Sequence, residues 1–306
     1  MPLKLLSGFT QNRNMEKRII PDSQLILNAD GSIYHLHLQP HQIADTVITV
    51  GDPGRVAEVS KHFDSIQHKV AYREFVTHTG YLNNKQLTVI STGIGTDNID
   101  IVLNELDALV NIDLQKRNVK EELTSLNLVR IGTSGSLREE VAIDSILLSE
   151  NAIGLDGLMG FYDFQNTIQE TILVEAFQSY IKPHFNFIKA YIASADEALL
   201  QQFESLGVKG TTLTATGFYA PQGRSLRTQN EIPDLVSLLH KFHHPLYSIS
   251  NLEMETAGIY GLGKVLGHRC LSINAILANR IRNEFSVDPQ KIVDKMIKDA
   301  LEILVS

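Results

Sequence analysis

Cysteine is nearly missing from this 306-residue chain: a single Cys270 stands inside an apolar run. A disulfide framework is therefore excluded, and a reducing compartment, the cytoplasm, is the expected setting. Cys270 itself reads as a small buried hydrophobe. Positive charge is also short, with 27 Lys+Arg against 35 Asp+Glu and a net charge of −8. A broad nucleic-acid surface needs cationic excess to displace counterions, so none is expected. No apolar run approaches the ~18–20 residues of a membrane span, and the N-terminus lacks the uninterrupted core of a signal peptide. Walker-type phosphate loops, the Gly-x-Gly-x-x-Gly dinucleotide spacing, His-Glu-x-x-His and cysteine clusters are absent too. Gly132-Thr133-Ser134-Gly135 misses the Gly-x-Ser-x-Gly elbow by a residue, and the adjacent His243 and His244 do not share a helical face. No cofactor and no catalytic metal are expected.

What remains is an ordinary globular composition, 43% hydrophobic and 20% charged. Short β-rich runs recur at 46–50, 86–92, 128–133, 145–149, 187–195, 211–219 and 271–279, separated by helical patterns. Such alternation predicts a largely buried sheet flanked by helices. The segment 72–92 reads instead as two strands joined near Asn83-Asn84, which makes the sheet mixed. One helix is expected after Asp97 or Asn98 as cap, with Ile99, Val102, Leu103, Leu106 and Val110 on its buried face. Another starts at Pro289, its stripe running from Ile292 to Leu304. Residues 1–14 read as an untidy leader before Met15.

Five small-residue or charged segments fall where strands end. Gly51-Asp52-Pro53-Gly54-Arg55 sits between a strand and a helix, so its amides, the helix dipole and Arg55 outline an anion cradle. A plain tight turn would explain the same residues. Arg130-Ile131-Gly132-Thr133-Ser134-Gly135 ends another strand with an arginine and hydroxyls, and Ser91–Gly95 ends a third. Phe218, Gln222 and Arg224 combine an aromatic face, an amide and a guanidinium, a set that suits a planar base as well as it suits a surface loop. Glu253-Met254-Glu255 opens a helix and offers two carboxylates to sugar hydroxyls, or simply a charged helix start. Arg73, Arg280 and Arg282 are further arginines close to these turns.

In order and spacing these segments resemble the uridine phosphorylase branch of the hexamer-type nucleoside phosphorylases, over about residues 34–303. The resemblance implies a single three-layer α/β/α domain over 31–306 with a mixed central sheet, after a partly ordered extension over 1–30. It implies phosphate contacts at Gly51, Arg55, Arg130 and Thr133, with Arg73 supplied across a dimer interface. Ribose would meet Glu253, Met254 and Glu255, with His35 from the neighbouring subunit. The base would meet Phe218, Gln222 and Arg224. A potassium-type monovalent cation would sit at Glu74, Ile94 and Asn98, the last position departing from the usual Ser. Gly54 stands where Asp is commoner, and 113–127 is longer than the bacterial pattern. The loop at Asn279 and Arg280 lacks the Asp with which purine phosphorylases protonate their base.

The implied reaction is phosphate-dependent cleavage of a pyrimidine nucleoside by a homodimer or by a hexamer built from such dimers. Arg55, Arg130, Gln222 and Arg224 would carry it, the first two on phosphate and the others on the leaving base. A purine or broad-specificity phosphorylase, a hydrolytic nucleosidase and a non-catalytic nucleoside-binding protein are the rival readings.

Overall fold

The computed structural model describes residues 18–306; Met15 and the first part of the expected 1–30 extension lie outside the described residues. In chain order the elements are β1 (Thr46–Val50), α1 (Pro53–Ser60), β2 (Ser65–Tyr72), β3 (Phe75–Leu82), β4 (Lys85–Ser91), α2 (Thr96–Asn111), β5 (Ile112–Asp113) and β6 (Asn118–Val119). They continue with β7 (Asn127–Ser136), β8 (Ile146–Gly154), α3 (Ile168–Ile181), β9 (Tyr191–Ser194), α4 (Glu197–Gln202), β10 (Val208–Thr214) and α5 (Leu235–Lys241). The last are β11 (Ile249–Glu253), α6 (Thr256–Leu266), β12 (Arg269–Asn279), β13 (Glu284–Phe285) and α7 (Pro289–Val305).

Local sequence accounts for most of these. β1 is Thr-Val-Ile-Thr-Val with all five residues buried, as suits a β-branched strand covered on both faces. Pro289 opens α7, and the buried residues Ile292, Val293, Met296, Ile297, Ala300, Leu301 and Leu304 form its stripe. Asn83 and Asn84 both adopt positive φ (48° and 63°), the pair of left-handed residues that a two-residue hairpin between β3 and β4 requires. The cap of α2 differs from the sequence expectation: it is Gly95, at φ 98°, rather than Asp97 or Asn98. Glycine reaches that backbone angle without a Cβ clash, so the helix starts two or three residues earlier and Asp97 falls inside its first turn.

The main sheet has the order β13-β12-β8-β10-β11-β7-β1-β4-β3-β2, with β9 beside β8. β1 runs parallel to both β4 and β7, whereas β2, β3 and β4 are antiparallel, so the sheet is mixed. β12 pairs with β7 as well as with β8, and β11 pairs with β7, so β7, β12, β8, β10 and β11 close into a ring. Helices α2 and α6 cover one face and α1, α4 and α7 the other, while α3 and α5 pack over the strands of the ring. The long segment between Asp113 and Asn127 holds the hairpin β5–β6. Arg117 in its turn donates from Nε to Ile20 O at 2.9 Å and also to Leu25 O, clasping the described start of the chain.

Candidate active site

Chain ends of β1, β4, β7 and β11, with the loop after β10, surround one cleft of about 870 Å³. Gly51, Arg55, Arg130, Thr133, Phe218, Gln222, Arg224, Glu253, Met254 and Glu255 all line it. At one end, Asp52 caps α1 by accepting from Gly54 N at 2.8 Å, and Pro53 occupies the first helical position. That cap aims the first turn, and with it Arg55, at the cleft. Burial and then the nearby positive charge of Arg130 hold the Arg55 guanidinium below its ordinary pKa. Two guanidiniums that disfavour each other across a cavity form a site that an anion would stabilise.

Arg130 lies along β7 over Gly132, where any Cβ would come within 1.8 Å of Arg130 Nη1. Its side chain is buried. Nη2 donates to Glu255 Oε2 at 2.5 Å and lies 3.3 Å from Glu253 Oε2, while Nη1 donates to Asn274 Oδ1 at 3.0 Å. Burial opposes the charge on Arg130, but the two carboxylates outweigh it and raise its pKa. For Glu255 the balance falls the other way: burial, with repulsion from Glu253, raises its pKa against the pull of Arg130. Two buried carboxylates sharing one cation leave a net negative cluster, which favours a proton on one of them.

The two glutamates differ in what holds them. Glu253 accepts from Thr214 Oγ1 at 2.6 Å and from the backbone amides of Glu255 and Thr256 at 2.9 Å, so it caps the start of α6. Glu255 accepts from Gly95 N at 2.9 Å, which ties the Ser91–Gly95 turn to the Arg130 pair.

At the far end of the cleft, Arg224 donates from Nη1 to Phe218 O at 2.8 Å and to Gln222 Oε1 at 2.6 Å, and its Cζ sits 3.8 Å from the Phe218 ring centroid. A guanidinium can only donate, so the Gln222 oxygen must face it and the Gln222 NH₂ is left to donate elsewhere. Burial and then the charge of Arg280 lower the pKa of Arg224 to about 10. Arg280 fastens the same loop, donating to Gln222 O at 3.1 Å.

His35 and Arg73 are placed outside this cleft. The His35 Nδ1 lies 2.6 Å from Glu105 Oε1, and Arg73, at φ 53°, turns the β2–β3 hairpin with its guanidinium over the Tyr72 ring. Glu74, Ile94 and Asn98 border the cleft, with Asn98 Nδ2 donating to Glu74 Oε1 at 3.3 Å. Sequence reasoning did not single out Asn274, and it placed Gly132 in the turn without showing that it makes room for the Arg130 guanidinium. A signal for the first was there: Ser272 and Asn274 alternate within an otherwise apolar strand.

Comparison with known proteins identifies the family. The family model described as the phosphorylase superfamily matches residues 45–306. A uridine phosphorylase of Thermococcus kodakarensis is 28% identical over 90% of this chain and 87% of its own length. A DeoD-type purine nucleoside phosphorylase of a Thermoanaerobacter species is also 28% identical, over 88% of this chain and 98% of its own. A Trypanosoma brucei nucleoside phosphorylase, described as showing uridine phosphorylase activity, superposes with a TM-score of 0.82 at 29% identity, covering 92% of this chain and 99% of that one. A mixed sheet between helical layers, a cleft lined by arginines and a family match over most of the chain lead to one assignment: this protein belongs to the phosphorylase superfamily.

Proposed function

We propose that the protein is a uridine phosphorylase, converting uridine and inorganic phosphate to uracil and ribose 1-phosphate. One observation carries the reading: Arg55 and Arg130 border the same cleft as the Gln222–Arg224 pair, with Met254 and Glu255 also lining it. Phosphate sits with Gly51, Arg55, Arg130 and Thr133. Ribose lies against Met254, with Glu255 accepting from its hydroxyls while Glu253 fixes the turn beneath. Phe218 packs on the base.

Phosphate oxygen attacks the sugar carbon from the face opposite the base as the carbon–nitrogen bond stretches to an oxocarbenium-like state. The bond's electron pair leaves with the base. Arg55 and Arg130 orient the nucleophile, and orientation of this kind supplies several kcal/mol. The free Gln222 NH₂ and Arg224 donate to uracil carbonyls as they take up negative charge. Uracil offers carbonyl acceptors to such donors, which favours a pyrimidine over the purine alternative. Arg73 and His35 complete the site from a partner subunit, making a homodimer the smallest active unit, in the cytoplasm.

Assay with uridine, thymidine and inosine, with and without phosphate, decides the class. Cleavage that ignores phosphate would make the protein a hydrolase, and binding without turnover would make it a nucleoside-binding protein. Arg130→Ala is expected to abolish phosphorolysis at accessible phosphate concentrations, and Gln222→Ala to cost about 1–3 kcal/mol on uridine. Mixing inactive Arg73→Ala and Arg130→Ala subunits should restore partial activity; no restoration would remove the shared site. Unchanged rates on exchanging potassium for choline would remove the cation at Glu74, Ile94 and Asn98.

A further inference from the structure

The ring formed by β7, β12, β8, β10 and β11 carries polar side chains inside, where small closed sheets are usually filled by apolar ones. Arg130, Asn274, Ser149, Thr212, Asn251 and Ser134 come from these five strands, and all are buried. They are joined end to end. Arg130 Nη1 donates to Asn274 Oδ1 at 3.0 Å, and Asn274 Nδ2 donates to Ser149 Oγ at 3.1 Å. Ser149 Oγ and Thr212 Oγ1 meet at 2.6 Å. Thr212 Oγ1 donates to Asn251 Oδ1 at 2.8 Å, and Asn251 Nδ2 donates to Ser134 Oγ at 2.8 Å.

Chemistry gives this chain a single direction. Arg130 cannot accept, so Asn274 must turn its oxygen to the guanidinium and its NH₂ to Ser149. Ser149 then accepts and passes its own proton to Thr212, whose proton goes to Asn251. The Ser134 oxygen accepts at the far end, and Ser134 lines the cleft. Its hydroxyl proton has no acceptor among the described residues. A cation at the origin polarises each successive bond, which strengthens the donor at the end.

We propose that this chain is a positioning device, holding the Arg130 guanidinium at one end and presenting the Ser134 proton to the ligand at the other. Ser134 is thereby an additional donor to the sugar phosphate, and Thr212, Asn251, Ser149 and Asn274 act through it and through Arg130 without touching substrate. The inference rests on the phosphorylase reading.

The test is a double-mutant cycle read by calorimetric binding of ribose 1-phosphate to Ser134→Ala, Thr212→Val and the double variant. Thr212→Val cuts the chain two links from the cleft at nearly constant volume. Each single variant is expected to weaken binding about 3- to 10-fold, the usual worth of one hydrogen bond, and the double variant no more than either alone. Thr212→Ser should restore wild-type affinity. Multiplying losses in the double variant, or an unchanged affinity in Ser134→Ala or Thr212→Val, would overturn the proposal. A purely structural role predicts a lower Tm with intact affinity. If Thr212→Val does not fold, Thr212→Ala takes its place, and Ser134→Ala alone can still refute. Wild-type protein that binds ribose 1-phosphate but leaves uridine intact contradicts the functional reading alone; failure to bind the sugar phosphate overturns this inference as well.

Discussion

Replacing Gly132 by alanine tests the geometry of the anion site at its tightest point. The added Cβ would stand 1.8 Å from Arg130 Nη1, 2.4 Å from Cζ and 2.8 Å from Nη2. A guanidinium ends a flexible side chain and can move, but here it is buried and each move breaks a bond. The 2.5 Å contact to Glu255 and the 3.0 Å contact to Asn274 would both be lost or stretched. Separating a buried ion pair costs about 3–5 kcal/mol. At the ~2 °C per kcal/mol typical of larger domains, Tm should fall by roughly 6–10 °C. Gly135→Ala on the same strand is the stability control, since its Cβ would meet Arg280 Cγ at an ordinary 3.5 Å. Differential scanning fluorimetry gives the Tm values, and initial rates against phosphate concentration give the phosphate KM, which should rise at least 10-fold in Gly132→Ala. A Gly132→Ala protein with wild-type Tm and phosphate KM would refute the reasoning, because Arg130 would then have room that these distances deny it.

Three further outcomes follow from the same contacts. Arg280→Met frees the Gln222 carbonyl and should raise the uridine KM roughly 3- to 10-fold, leaving the phosphate KM alone; equal rises in both would show a general loss of structure. Glu255 has a folded pKa raised by burial, so the native state takes up its proton more readily than the unfolded chain as pH falls from neutral towards the ordinary carboxylate range. The Tm of wild type minus that of Glu255→Gln should therefore grow across that window, and a shrinking difference would give the shift the opposite sign. Arg138 donates at 3.0 Å to Ile249 O, His240 O and Phe242 O, joining the end of α5 to the start of β11. Arg138→Met should lose about 2 kcal/mol in thermal unfolding, and an unchanged Tm would mean that water replaces all three bonds.

Elements whose residues satisfy their own periodicity were legible in the sequence. β1 and α7 are examples, because covering both faces of a strand or one stripe of a helix leaves a pattern. β2 was not, since its residues Ser65-Ile66-Gln67-His68-Lys69 belong to a half-exposed edge with no apolar run. β11, although fully buried, hides its strand character behind Ser250 and Asn251, whose polar groups are satisfied only by other strands. The same reason limits the site. Each turn could be read as an anion or base contact from residue type, but the Arg130–Glu255 pair joins positions 125 residues apart. Nothing local encodes that pairing. The role of Glu253 as a helix cap depends likewise on where Thr214 and the first amides of α6 lie.

Because the ring closes β7, β12, β8, β10 and β11 onto one another, those strands have partners along much of their length, and among the described residues the long open border of the sheet is β2. An open border invites another copy to add on by backbone pairing, the first step of aggregation. Here it carries Lys69 and a register break between Ile66 and His68. A charged side chain and a bulge are the devices by which an edge strand is kept from pairing with a second sheet, and both fall on this one strand of an eleven-stranded sheet.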